Sequence, residues 1–262
     1  MRKYAICLET LERGFEWLVV PWEKAGATKF QTLAQVPNDH ILLSVWPAWR
    51  SPVKEWAAKG NSYIEIDYGY WGLNNPRRNT RRVTYNGSHN LIMSDIPYSR
   101  LYTLFPSPED WKVRPGKYIL CIEPNGETYT ERTGISMASW KISLEEKIKQ
   151  HWNGEIKWRR KVGGKRPDRW PNFLSDLSNA QAVVGERTMA CAEAVILGYP
   201  AYTLDHSVSS LVMGDDFSKI AKPEYPDRTQ WLEHIAWSQF HPDEFSDGTK
   251  VVELVELYQI KT

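Results

Sequence analysis

Residues 183–200, with the sequence VVGERTMACAEAVILGYP, combine residue types that suit a nucleotide-binding site. Val183 and Val184 end a predicted buried strand. Thr188 is a good N-cap for the helix that follows, because its hydroxyl can accept a hydrogen bond from a free amide of the first turn. A helix N-terminus directly after a strand attracts anions such as phosphate. Glu193 follows about one and a half turns later, within reach of the hydroxyls of a bound ribose.

An ordinary strand–helix–strand unit of an α/β core is the alternative interpretation of the same segment. Apolar residues recur at helical spacing, so one face of the helix is expected to pack on a sheet; they are Met189, Ala192, Val195 and Ile196. Gly198 is suited to the left-handed backbone conformation that the residue after a helix often adopts. Met189 directly follows the cap, and we group it with Thr188 and Glu193 as a predicted nucleotide-binding residue.

The elements that must position this segment belong to two α/β halves. In the first half we predict strands at 4–8, 41–46, 63–68 and 83–85, and helices at 12–20 and 53–59. In the second half we predict strands at 118–122 and 155–158, and helices at 137–152, 170–177, 229–240 and 249–258. Strands separated by short helices are typical of βαβ units and a parallel sheet. We therefore expect two Rossmann-like halves, residues 1–110 and 111–262, which face each other across a cleft.

Composition excludes few classes of protein. The chain of 262 residues is long enough for a substantial core, and a formal net charge of +1 gives no overall nucleic-acid signature. Cys7, Cys121 and Cys191 lie in apolar runs without metal-ligand spacing, so we expect buried free thiols. Because we find no signal peptide and no long apolar run, we expect a cytoplasmic protein without a membrane partner.

The order of motifs resembles a family of phage-encoded glycosyltransferase-like proteins with the two-domain GT-B fold. The matching pieces are YIEIDYGYWG at 63–72, RRVTYNGSHN at 81–90, KYILCIEPNGET at 117–128, IKWRRK at 156–161, the segment at 183–200, and DRTQWLEHIAWSQFHPDEFSDG at 227–248. The chain is short for this fold, and Thr188 stands where relatives often have Ser. The hydroxyl that caps the helix is nevertheless kept.

The resemblance implies that residues 1–110 bind an acceptor and residues 111–262 bind a nucleotide-sugar donor, with a UDP-sugar expected. Some phage relatives are associated with glycosylating 5-hydroxymethyl pyrimidines in DNA, which implies double-stranded DNA as the partner and the infected host cytoplasm as the location. No Asp-rich motif has a convincing metal context, and GT-B enzymes generally need no metal. We therefore expect no metal and no cofactor beyond the donor; the oligomeric state stays open.

Basic groups in the second half are candidates for the donor diphosphate. Arg159, Arg160 and Lys161 follow a predicted strand, where cations would stabilise the charge that develops on a leaving nucleoside diphosphate. Strand alternation places Arg159 and Lys161 on one side and Arg160 on the other. His206 follows the next strand and is a further candidate for contact with the donor. The alternatives are a solvated basic run and a structural histidine.

Asp67, at the end of the strand 63–68, is the first candidate for the catalytic base, because a carboxylate there could take the proton of an acceptor hydroxyl. Glu65 lies on the same face and is a weaker candidate. His89 titrates in the useful range and is a second candidate base. A turn-forming or capping aspartate and an incidental loop histidine are the alternatives, and the sequence does not choose between Asp67 and His89.

Aromatic and basic residues beyond Asp67 are candidates for binding the acceptor. Flat rings could stack on a flipped base or a sugar; they are Tyr68, Tyr70 and Trp71, with a hydrophobic plug as the alternative. Clustered cations could contact a DNA backbone; they are Arg77, Arg78, Arg81, Arg82, Lys165, Arg166 and Arg169. A solvated loop or an acidic neighbour is the alternative for these.

The leading interpretation is therefore a glycosyltransferase that moves a sugar from a nucleotide-sugar to a hydroxymethylated pyrimidine in phage DNA. A transferase that acts on a surface glycan or a small molecule is the first alternative. A nucleotide- or DNA-binding module without catalytic activity is the second. The sequence does not choose the sugar, the nucleotide or the stereochemical outcome.

Overall fold

The structure is a computed structural model, and it describes residues 3–11, 16–45, 52–70, 80–87, 109–160, 169–186, 188–204, 207–245, 253 and 256. The chain divides into two compact units. The first comprises residues 1–104 and 233–262, and the second comprises residues 105–232. The predicted division at 110 differs from these units, because no local pattern indicates that residues from 233 onward group with the first part of the chain.

The first unit contains a six-stranded sheet, whose strands are β1 (Lys3–Cys7), β2 (Thr28–Phe30), β3 (His40–Ser44), β4 (Tyr63–Tyr68), β5 (Arg81–Tyr85) and β10 (Gln239–Phe240). The order of the strands across the sheet is β10-β5-β4-β3-β1-β2. The strands β2, β1, β3 and β4 are mutually parallel, whereas β5 runs antiparallel to both β4 and β10. The described residues of this unit include the helices α1 (Val19–Lys24) and α2 (Val53–Ala58).

Alternation along the strands separates two apolar layers. One face packs with Leu18 and Trp22 beside α1, and the other packs with Val53 and Trp56 of α2. On the second face, the buried side chains are no longer apolar toward the carboxyl ends of β3 and β4. There the buried side chains are polar or charged, namely Ser44, Glu65, Arg82, Thr84 and Gln239. A buried polar group needs partners within the protein, so these side chains are expected to pair with one another or with their neighbours.

The second unit contains a parallel four-stranded sheet in the order β7-β6-β8-β9. Its strands are β6 (Tyr118–Ile122), β7 (Glu155–Arg159), β8 (Ala180–Gly185) and β9 (Ala201–Thr203). Its helices are α3 (Gly126–Thr133), α4 (Met137–Lys149), α5 (Arg169–Leu177), α6 (Met189–Ile196) and α7 (Ser210–Met213), and α8 (Thr229–Trp237) leads back into the first unit. The predicted mixed α/β class with two Rossmann-like, largely parallel sheets is confirmed.

Arg228 stabilises the second unit just before α8. Its buried guanidinium donates hydrogen bonds to the carbonyl oxygens of Val195 and Glu109, and it lies 4.1 Å from the centre of the Trp111 ring. Burial lowers its pKa to about 10. A cation at the carbonyl end of α6 also complements the helix dipole. The arginine therefore connects the end of α6 to the segment that enters the second unit.

Two of the predicted elements differ from the structure. The helix predicted at 12–20 was assumed to stop before Pro21, but α1 begins at Val19 and contains Pro21 in its first turn. Proline is tolerated there because the first amides of a helix have no partner within the helix. Residues 239–240, predicted as helix, form β10. The helix predicted at 249–258 lies outside the described residues, apart from Glu253 and Glu256.

Alkaline pH is expected to destabilise the protein through its buried tyrosines. Burial raises the pKa of Tyr63 from 10.0 to about 12, and it also raises the pKa values of Tyr70 and Tyr202. A raised folded-state pKa contributes stability that is complete below pH 10 and is lost as pH rises toward 12. Urea unfolding at stepped pH should show this fall. In Tyr63→Phe the fall should be smaller, and an equal fall would contradict the assignment to Tyr63.

Candidate functional site

The carboxyl edge of the second sheet is the first part of the candidate site. Parallel strands end at the same edge, and the first helix after each of β6 and β8 begins there: α3 at Gly126 and α6 at Met189. The amides of a first helical turn point toward the space beyond that edge. The edge therefore presents two sets of backbone donors, as the nucleotide-site prediction requires.

The turn between β8 and α6 is tight, and its geometry confirms the predicted N-cap. The Thr188 hydroxyl accepts a hydrogen bond from the amide of Ala190 at 3.3 Å. A Cβ on Gly185 would lie 2.5 Å from Cγ2 of Thr188 and 2.9 Å from Sγ of Cys191. A larger residue at this position would therefore require the side chains of Thr188 and Cys191 to shift. Whether Thr188 and Met189 contact a nucleotide stays a prediction.

Replacing Thr188 with Ala is expected to lower the free energy of unfolding by about 1 kcal/mol through the lost cap. If α6 holds a phosphate, the same change should weaken nucleotide binding about fivefold, because the first turn loses its alignment. Thermal unfolding and titration calorimetry with UDP measure the two effects. Ser136, which caps α4 by accepting from the Ser139 amide at 3.1 Å, provides the control. Ser136→Ala should lower stability similarly and leave nucleotide binding unchanged.

Glu193 is a buried residue of α6. It is 3% exposed and lies within the run 191–196, whose residues are all buried. Whether its carboxylate contacts the hydroxyls of a ribose stays a prediction.

Glu186 is a candidate that the sequence prediction missed. It follows β8 directly, and its Oε2 accepts hydrogen bonds from Trp140 Nε1 at 2.7 Å and from Tyr129 Oη at 3.1 Å. Its Oε1 has no hydrogen bond within the described part of the chain. One oxygen is therefore anchored on α3 and α4 while the other can accept from a ligand hydroxyl. Both anchors are remote in sequence, so spacing alone could not reveal them.

A second carboxylate lies at the same edge. Glu123 follows β6 and pairs with Lys141 of α4 at 2.6 Å, and the Lys141 ammonium lies 5.1 Å from the centre of the Trp158 ring. The Lys141 ammonium therefore neutralises the charge of the Glu123 carboxylate. This pair supports the geometry of the edge, whereas Glu186 keeps acceptor capacity.

Arg159 is engaged within the protein. Its guanidinium pairs with the carboxylate of Asp176 on α5, and the Lys157 ammonium lies 2.6 Å from the same carboxylate. Arg159 also lies over the Phe173 ring at 5.4 Å. Lys157 and Arg159 both contact Asp176, whereas the predicted alternation of Arg159 and Lys161 against Arg160 stays a prediction because Lys161 lies outside the described residues. The acidic partner on α5, which the prediction did not identify, reduces the charge that Arg159 could offer a phosphate, whereas Arg160 is exposed.

The end of β4 in the first unit is the second part of the candidate site. The Asp67 Oδ2 accepts from Arg82 Nη2 at 2.7 Å, and its Oδ1 accepts from the Tyr68 amide at 2.7 Å. The Asp67 side chain is 42% exposed, whereas Glu65 is 1% exposed and lies 3.7 Å from the same guanidinium. Asp67 is thus the accessible carboxylate of the pair, and Glu65 is enclosed.

Arg81 and Arg82 belong to β5 rather than to a loop. Arg82 is buried, and its guanidinium lies 5.3 Å from the centre of the buried Tyr70 ring. Burial opposes its charge, but Asp67, Tyr70 and Glu65 outweigh that effect and raise the pKa of Arg82. Arg82 is 5% exposed and Tyr70 is 0% exposed, so little of either residue is available for the predicted DNA contact or for the predicted stacking, and both roles stay predictions.

Tyr68 and Arg81 retain exposed surface. The Tyr68 side chain is among the exposed large hydrophobic residues, and the guanidinium of Arg81 lies 4.9 Å from its ring centre. Arg81 Nη1 also donates to the carbonyl of Thr80 at 3.1 Å, and burial lowers the pKa of Arg81. An exposed ring next to Asp67 keeps the stacking prediction open for Tyr68.

Several predicted site residues lie outside the described part of the chain. They are Trp71, Arg77, Arg78, His89, Lys161, Lys165, Arg166 and His206. Arg169 begins α5, and only its backbone is described. Their predicted roles stay predictions.

The three cysteines are free and buried, as predicted, and burial raises the pKa values of the Cys7 and Cys121 thiols. No group of three or more His, Cys, Asp or Glu side chains in the described ranges is arranged to hold a metal ion. Among those residues, no helix has the length and apolarity needed to cross a membrane.

Comparisons with known proteins identify the fold. No protein-family model matches the chain, and no curated protein matches it in sequence. The Thermosulfurimonas dismutans KpsC beta Kdo 2,4 transferase is similar with a TM-score of 0.56 at 9% identity, over 98% of this chain and 98% of that chain. The beta Kdo 2,7 transferase of the same organism is similar with a TM-score of 0.54 at 12% identity, over 97% and 99%.

This likeness is one of fold. Neither structure is described as a phage or DNA-modifying protein, so the predicted DNA acceptor stays a prediction. Because the likeness extends over both sheets, the predicted GT-B-like α/β fold class is confirmed, and the chain shares its fold with glycosyltransferases.

Proposed function

We propose that the chain is a glycosyltransferase that moves a sugar from a nucleotide-activated donor to a hydroxyl group of a glycan. The observation that carries the proposal is the likeness, over nearly the whole chain, to two structures described as Kdo transferases. Fold alone does not determine activity. The proposal therefore also depends on what the two parts of the candidate site can do.

The donor nucleotide is proposed to bind at the carboxyl edge of the second sheet. The first turn of α6, with its Thr188 cap, supplies amides for a phosphate. The Oε1 of Glu186 supplies an acceptor for a hydroxyl of the ribose or the sugar. Arg160 supplies an exposed cation after β7. This set of donors, acceptor and charge matches the chemistry of a nucleotide-sugar, and no metal is needed in the proposal.

Asp67 is proposed as the base that activates the acceptor. In the proposed step, the acceptor oxygen forms a bond to the anomeric carbon of the sugar while the bond from that carbon to the phosphate oxygen breaks. The electron pair leaves with the nucleotide, and the proton of the acceptor hydroxyl passes to Asp67. The partial exposure of Asp67 allows an acceptor to approach it.

A glycan is proposed as the acceptor in preference to DNA. Both similar structures are described as transferases of Kdo, a sugar, and Arg82, one of the cations that would have contacted DNA, is enclosed by carboxylates. The net charge of +1 also supplies no general attraction to a polyanion. Kdo itself is accordingly a candidate for the transferred sugar.

A transfer assay tests the proposal. The protein is incubated with nucleotide-activated Kdo or UDP-hexoses together with either oligosaccharides or hydroxymethyl-pyrimidine DNA, and the products are measured by mass spectrometry. A sugar adduct on an oligosaccharide is the expected result. An adduct on DNA alone would overturn the acceptor proposal and support the phage interpretation. Nucleotide binding without any adduct, with any donor, would indicate a binding module and overturn the enzymatic proposal.

A further inference from the structure

Arg82 occupies a position between two carboxylates and a tyrosine ring. In the antiparallel pairing of β4 and β5 it lies directly opposite Asp67, and in the pairing of β5 and β10 it lies opposite Gln239. Its Nη2 is 2.7 Å from Asp67 and 3.7 Å from Glu65. The residue is 5% exposed, so it cannot contact a large ligand directly.

The consequence for Asp67 is a fixed orientation. Both of its carboxylate oxygens are held, one by Arg82 and the other by the Tyr68 amide. Side chains in exposed positions normally sample several rotamers. Two hydrogen bonds remove most of that freedom, which places a reacting group in one orientation before substrate arrives.

Glu65 is the second carboxylate close to the Arg82 guanidinium. It precedes Asp67 by two residues on β4, so both side chains point to the same face of the sheet, and it is almost completely buried. The planar guanidinium can face two carboxylates in a fixed geometry, which the single ammonium of lysine cannot reproduce. The buried Glu65 therefore restricts the orientation of the Arg82 guanidinium more than the partner in an exposed ion pair would.

We propose that Arg82 is a positioning residue for the Asp67 carboxylate and that Glu65 holds Arg82 in place for this task. The inference rests on the proposed glycosyltransferase function, in which Asp67 receives the proton of the acceptor hydroxyl. When Asp67 has received that proton, Arg82 keeps Glu65 as its ionised partner. The cluster is thus able to support Asp67 both before and after proton transfer.

A purely structural role is the competing explanation, in which Arg82 only neutralises the buried Glu65. Arg82→Met alone does not separate the two, because it leaves a buried carboxylate without its cation and is expected to lower Tm and transfer together. The double variant Glu65→Gln/Arg82→Met removes both charges and keeps similar shapes. A buried ion pair replaced in this way often retains stability.

The double variant is expected to recover Tm to near the wild-type value. It should still show a kcat about 100-fold below wild type, the scale expected for a misplaced catalytic group, with the KM for the acceptor changed much less. Recovery of both Tm and kcat would overturn the inference and leave the proposed function intact. Absence of transfer by the wild-type protein with every donor would overturn the proposed function, and the inference would fall with it.

A second variant keeps the test decisive if the double variant does not fold. Arg82→Lys retains the positive charge but loses the planar fork, so kcat should fall about tenfold while Tm changes little. An unchanged kcat would contradict the positioning role. Lys3→Met/Asp39→Asn is the control, because it removes an exposed ion pair of 2.7 Å in the same unit, remote in sequence from β4 and β5, and should leave kcat unchanged.

Discussion

Replacement of Asp67 with Asn is expected to lower kcat for sugar transfer by about 10²- to 10⁴-fold, the usual contribution of a general base. Asparagine keeps the size of the side chain, and its carbonyl oxygen can still accept from Arg82 or from the Tyr68 amide, which hold Asp67 at 2.7 Å each. It cannot take a proton at neutral pH. The loss should therefore appear in kcat, measured by steady-state transfer kinetics, rather than in folding.

Two comparisons make this result specific. Nucleotide binding by Asp67→Asn, measured by calorimetry, should equal that of wild type, because the proposed donor site lies in the other unit. Asp39→Asn removes another carboxylate of the first unit, one whose pKa is lowered to about 2 by its hydrogen bonds with Lys3 and His40, and it should leave kcat unchanged. Equal kcat values for Asp67→Asn and wild type would exclude Asp67 as the base and return attention to His89.

Replacement of Gly198 with Ala should cost at least about 3 kcal/mol of unfolding free energy, since a strained backbone and an unavoidable clash add together. Gly198 follows α6 with φ of +83°, a conformation that residues with a Cβ rarely adopt. A Cβ there would lie 2.1 Å from the carbonyl oxygen of Asp110 and 3.3 Å from Cα of Trp111. The Gly198 carbonyl also accepts from the Lys112 amide at 2.7 Å, so the two backbone segments cannot easily separate.

Gly60 provides a matched control for this prediction. It has φ of +76°, but no atom lies within 4 Å of the position that its Cβ would occupy. Gly60→Ala should therefore cost only the backbone term, about 1 kcal/mol. Urea unfolding of the two variants measures the difference. Equal losses would show that the approach of Asp110 and Trp111 to α6 is not needed for stability.

The elements that were predicted correctly are those with a clear local sequence pattern, such as alternating apolar residues, an N-cap or a terminal glycine. The strand Tyr63–Tyr68 was predicted with the bounds it has, because apolar residues alternate there between two turn-forming segments. The helix after Thr188 was predicted from its cap and its glycine, and both have the expected geometry. Pro21 misled the prediction, because proline ends a helix only when it lies beyond the first turn.

The candidate site was harder to predict, because its contacts join residues that are distant in sequence. Arg82 was grouped with neighbouring arginines as a DNA contact, and only the pairing of β4 with β5 reveals that it faces Asp67 and Glu65. Likewise, the anchoring of Glu186 depends on rings from α3 and α4. Residue type and position therefore indicated Asp67 as a candidate base, which stays a prediction, but they could not identify its partners.

The proposed nucleotide site is tested most directly by a crystal structure of the protein soaked with UDP. We expect density for a nucleotide beyond the carboxyl edge of β6 and β8, with a phosphate at the first turn of α6 near Thr188 and a hydroxyl within hydrogen-bonding distance of Glu186. A nucleotide bound elsewhere, or no nucleotide at saturating concentration in crystals that leave this edge open, would contradict the account.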